Sequence, residues 1–109
     1  MTLAFSPEDS RRYERDAVEC PAQIWGATLP PSRALLINIS PSGCMIRCDQ
    51  LVSIGESLTI DVEGARTFRG RAIWSAGARI GIEFENLIPD GEYEAILVTL
   101  KVRSNLQGS

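Results

Sequence analysis

The chain contains no histidine, and that absence removes the base of any Ser-His or Cys-His nucleophile pair. Lysine is nearly missing too: Lys101 stands alone against ten arginines. Acidic residues outnumber basic ones, 14 to 11, for a net charge of −3. General DNA or RNA binding needs the opposite, a broad basic surface. Cysteine is sparse and odd in number, with Cys20, Cys44 and Cys48, so no complete disulfide framework is indicated. Cys44-x-x-x-Cys48 alone supplies too few ligands for a structural zinc site. There is no phosphate-binding glycine loop and no strand-turn-helix to hold one. Carboxylate pairs such as Glu83 and Glu85 fall on the solvent side of an alternating strand. These gaps point away from catalysis: no catalytic residue, metal site or cofactor is expected. No run reaches the roughly 20 apolar residues that span a bilayer. The start, MTLAFSPEDSRRYER, lacks the basic, apolar and small-residue segments of a signal peptide. The expectation is a cytoplasmic protein without membrane insertion.

What is present is period-two alternation, from residue 17 to residue 85. Val18, Cys20, Ala22 and Ile24 share one face of a first strand. Leu35, Ile37 and Ile39 do so in a second, Cys44, Ile46 and Cys48 in a third. Leu58, Ile60 and Val62 alternate with Thr59, Asp61 and Glu63 in a fourth. A fifth carries Phe68, Ala72 and Trp74 on one side, and a sixth sets Ile80, Ile82 and Phe84 opposite Gly81, Glu83 and Glu85. Turn residues separate the runs: Pro30-Pro31-Ser32, Pro41-Ser42-Gly43, Ile54-Gly55-Glu56, Glu63-Gly64 and Ala76-Gly77.

After Pro89 the period becomes helical, through Tyr93, Ile96, Leu97 and Leu100, with Asp90 placed to cap the start. Glu92 and Glu94 suit the first turn, and Lys101 and Arg103 the last. At 109 residues the chain fits one domain, since a second core would lack residues to close. The sequence therefore predicts an all-β fold: a six-stranded antiparallel barrel followed by a C-terminal α-helix. The expected bounds are a flexible arm at 1–10, the domain at 11–103 and a disordered tail at 104–109. Ile37, Ile39, Ile60, Trp74, Ile82 and Phe84 are expected in the core, packed against the helix face from Tyr93 to Leu100.

Two clusters outside the core could carry chemistry. Arg-Arg-Tyr-Glu-Arg at 11–15 holds three guanidinium groups, with Glu8, Asp9, Glu14 and Asp16 cancelling their charge. Individual arginines reaching a defined anion explain that grouping better than a diffuse basic patch does. The second cluster is Asn38-Ile39-Ser40-Pro41-Ser42-Gly43. With Leu35, Ile37 and Ile39 inward, Asn38 and Ser40 project outward together, and Gly43 permits close approach. Taken singly, the first also fits a solvated arm and the second an ordinary strand-to-turn exit.

In order and spacing, Arg11-x-x-x-Arg15 followed by Asn38-x-Ser40-x-x-Gly43 resembles the paired signature of the PilZ domain family. The likeness extends to Val18–Ile24 with Pro21, to Ala72-Ile73-Trp74 and to Gly81-Ile82-Glu83-Phe84, covering about Arg11 to Leu87. It implies a bacterial receptor for cyclic di-GMP, bound on the outer surface of the barrel. By position, Arg11 and Arg15 would hold phosphates and guanine edges, Asn38 and Ser40 would contact a guanine, and Gly43 would allow close packing. Arg12 is an auxiliary candidate. The implied role is an adaptor, monomer or weak dimer, that relays messenger level to an effector protein in motility, biofilm or cell-surface control. The competing role is a nucleotide-independent PilZ protein-interaction module. Because Arg11 and Arg15 precede the first strand, ordering of the arm on ligand binding is the expected signal.

Overall fold

Alternating apolar residues make one inward face per strand, and closing the sheet buries all of these faces together. In the computed structural model, which describes residues 14–108, β1 (Asp16–Gly26), β2 (Ser32–Ser40), β3 (Gly43–Arg47), β4 (Ser57–Val62), β5 (Arg66–Ala76) and β6 (Arg79–Phe84) precede one helix, α1 (Asp90–Gly108). The strands close in the order β1-β2-β3-β6-β5-β4, with β4 pairing back onto β1. Every neighbouring pair is antiparallel. Closure leaves no unpaired sheet edge.

Val18, Cys20, Ala22 and Ile24 of β1 are buried, as are Cys44 and Ile46 of β3 and Leu58, Ile60 and Val62 of β4. Ile80, Ile82 and Phe84 of β6 join them. Phe68 and Phe84 stack with ring centroids 5.1 Å apart. Fully burying an Ile such as Ile60 contributes about 1.5–3 kcal/mol. All three cysteines are buried free thiols inside this apolar set.

α1 adds Tyr93, Ile96 and Leu100 to the core and packs along β1. There the Cys20 thiol meets the Leu100 carbonyl at 3.2 Å, and the Glu19 amide donates to Ser104 Oγ. An exposed ion pair between Arg66 and Glu92 ties β5 to the first turn, a contact of small energetic weight. Among the described residues no helix is long and apolar enough to cross a membrane.

Four expectations need correction. In β2 the inward residue is Leu36, fully buried, whereas Leu35 and Ile37 are only half-buried. A register shift between Leu36 and Asn38 against β3 makes Ile37 an extra residue, and one extra residue inverts the alternation that follows. Trp74 likewise leaves the core. A shift between Ala72 and Trp74 against β6 turns the indole to the exterior, opposite Gly81. At the helix start, the Tyr93 amide donates to the Pro89 carbonyl at 2.8 Å, so Pro89 holds the capping position and Asp90 lies within the first turn. At its end, α1 runs on through Gly108, past the expected limit at Arg103 and into the segment expected to be a tail. The expected arm at 1–10 lies outside the described residues.

Candidate functional site

Antiparallel pairing of β1 with β2 brings the start of one strand to the end of the other. Asp16 faces Ile39 and Ala17 faces Asn38, so Arg15, the residue before β1, arrives beside Asn38. Arg15 Nη1 donates to Asn38 Oδ1 at 3.3 Å across 23 positions of sequence. With its carbonyl so engaged, the Asn38 amide retains its NH2 donors. Arg11 and Arg12 lie outside the described residues.

Ser40 shares the outward face of Asn38, but it is not open to solvent. It is 3 % exposed, a departure from the expected exterior hydroxyl. The turn that follows folds over it: Ser40 Oγ lies 3.2 Å from Ser42 Oγ, and accepts from the Ser42 amide at 3.3 Å. That turn is fastened on its far side. The Phe84 amide donates to the Ser42 carbonyl and the Ile88 amide to the Pro41 carbonyl, each at 2.9 Å. Gly43 pairs with both Ser40 and Glu83, and a β-carbon there would run into the Ile82 carbonyl oxygen. Glycine is required at 43 by this close approach of β3 to β6.

Beyond Asn38 the exterior continues as a row across four strands. Asn38 faces Met45, Met45 faces Gly81, and Gly81 faces Trp74. Met45 and Trp74 are half-buried, and Gly81 is covered by the indole. The sequence reading missed Met45, Gly81 and Trp74 as parts of this surface. The usable signal was a tryptophan and a glycine on the two sides of the β5–β6 hairpin, readable only once Ile73 is taken as an extra residue.

Beneath the row lies Cys44, opposite Ile39. Burial pushes its thiol up to about 12, against an opposing pull from the positive charge of Arg15. A buried thiol that keeps its proton is not a nucleophile, and it serves the core.

Arg15, Asn38, Ser40 and Gly43 thus lie within one corner of the barrel, on an arginine-bearing shelf with a rigid turn. The sequence profile of the PilZ domain matches residues 9–100 of this chain. The chain belongs to the PilZ domain family. A search of curated proteins returned no match. PilZ domains are binding modules, a family known for binding cyclic di-GMP. The match includes both clusters singled out in the sequence, and the barrel joins the described members of the two.

Proposed function

We propose that this PilZ domain is a cyclic di-GMP receptor and adaptor of the bacterial cytoplasm, passing messenger level to a partner protein by contact. The observation that carries the reading is the hydrogen bond from Arg15 to Asn38. It joins one residue from each half of the paired motif. A guanidinium has five N–H donors, so contact with one amide oxygen leaves capacity for a phosphate or for guanine O6 and N7. Arg11 and Arg12 supply further charge against the two phosphates of the ligand.

Asn38 donates from its NH2 to guanine. Ser40 acts chiefly by shaping the turn in which it is buried, and Gly43 keeps that turn flush with β6. Trp74 and Met45 give the same row an apolar surface on which a purine face can lie.

Calorimetric titration with cyclic di-GMP tests the reading, with GTP and cyclic di-AMP as controls. Saturable heat is expected with cyclic di-GMP alone. No heat at high micromolar ligand overturns the receptor role and leaves the nucleotide-independent interaction module.

A further inference from the structure

Tyr93 sits in the first turn of α1, yet its hydroxyl reaches the first rung of the β1–β2 ladder. It donates to Asp16 Oδ2 at 2.5 Å and lies 3.0 Å from the Ile39 carbonyl oxygen. Asp16 and Ile39 are cross-strand partners. Arg15 precedes Asp16, and Asn38 and Ser40 flank Ile39. A single phenol therefore bridges the two backbone segments that carry the described side chains of the candidate site.

This rung needs a fastening of its own. The β1–β2 register shifts between Ala17 and Cys20, and β2 shifts against β3 between Leu36 and Asn38. The rungs at Asp16 and Ala17 are thus cut off from the regular ladder, and a short strand start beyond a bulge is held by few backbone bonds. Among the described residues the other polar contacts between α1 and β1, from Glu19 to Ser104 and from Cys20 to Leu100, fall within the shifted stretch and at its far end, away from the Asp16–Ile39 rung. Tyr93 is 8 % exposed, and burial, then its bond to Asp16, holds its proton far above the ordinary range.

We propose that Tyr93 is a positioning residue: its hydroxyl fixes Arg15 and Asn38 relative to one another and couples α1 to the ligand site. The inference rests on the cyclic di-GMP reading above. Linkage is reciprocal, so whatever the clamp adds to ligand affinity, the ligand returns as tighter docking of α1. α1 also carries the exposed side chains of Val98 and Val102, so nucleotide binding is felt at a surface that the nucleotide does not touch.

Tyr93→Phe removes one oxygen and keeps the buried ring. Its affinity for cyclic di-GMP is expected to fall about tenfold, the scale of one charge-assisted hydrogen bond. In the ligand-free variant, amides 15–17 and 38–40 are expected to exchange faster than in wild type. Ser104→Ala removes the α1 contact at Glu19, which is not part of the Asp16–Ile39 rung, and is expected to keep wild-type affinity. In an Arg15→Ala background, Tyr93→Phe is expected to cost less than it does alone, because the clamp acts through Arg15. Unchanged affinity in Tyr93→Phe overturns the proposal, and so does an equal loss in Ser104→Ala, which would mean general loosening. If wild type itself binds no cyclic di-GMP, the receptor reading fails, and the ligand-free exchange then decides the clamp: unchanged rates in Tyr93→Phe overturn it.

Discussion

Trp74 roofs Gly81: a β-carbon at residue 81 would overlap the indole at Nε1 and its neighbouring carbons. The two face each other across the β5–β6 hairpin, on the exterior row that leads through Met45 to Asn38. Gly81→Ala must therefore displace the ring. A destabilisation of about 1–3 kcal/mol is expected from this overpacking, together with a change in tryptophan fluorescence. The loss is expected to shrink in a Trp74→Ala background, since the clash is then gone. Equal losses in the two backgrounds, measured by urea unfolding, would contradict the contact.

Phe84 and Glu83 test the inside and outside of β6. Phe84 is buried and stacks on Phe68, while Glu83 is exposed. Phe84→Ala is expected to cost about 3–5 kcal/mol. Glu83→Ala is expected to stay within about 0.5 kcal/mol of wild type. Thermal or urea unfolding of the pair reads the difference directly, and similar melting of the two variants would contradict the alternation of this strand.

Burial raises the Cys44 thiol from 9.0 to about 12, and it raises Cys20 and Tyr93 in the same direction. In each case the folded state keeps a proton that the unfolded chain releases. Stability from these groups is complete below the unfolded values and declines as pH rises through the folded ones. Urea midpoints are expected to hold near about pH 8 and to fall steadily above about pH 9. A midpoint that stays flat to about pH 10.5 would contradict the burial of these groups. The same burial makes thiol reagents react slowly with native protein and fully after unfolding.

The barrel was legible in the sequence wherever a strand keeps one phase from end to end. β1, β3, β4 and β6 do, and Cys20, Ile46, Ile60 and Ile82 are buried as their alternation indicates. β2 and β5 each contain an extra residue, Ile37 and Ile73, bounded by the observed register shifts. A bulge leaves no mark in an apolar pattern, because Leu35-Leu36-Ile37 reads equally well in either phase. The error propagated to Leu36 and to Trp74, and with Trp74 the apolar half of the exterior row was lost. The Asn38 side of the site survived, since Ile39 lies beyond the bulge and sets the local phase correctly. The burial of Ser40 was not readable, because it depends on how Phe84 and Ile88 hold the Pro41–Ser42 turn. Nor was the reach of Tyr93, which the helical period marks only as core.

Arg15 and Asn38 are expected to act as two parts of one recognition site for cyclic di-GMP. The decisive measurement is the calorimetric affinity of wild type, Arg15→Ala and Asn38→Ala for that ligand, with folding of each variant checked by its melting curve. Losing one bidentate arginine contact is expected to cost about 1–3 kcal/mol, or about tenfold to hundredfold in affinity. Asn38→Ala is expected to weaken binding in the same direction, with the double variant losing less than the sum because the two side chains touch. A folded Arg15→Ala protein that binds as tightly as wild type would contradict the account.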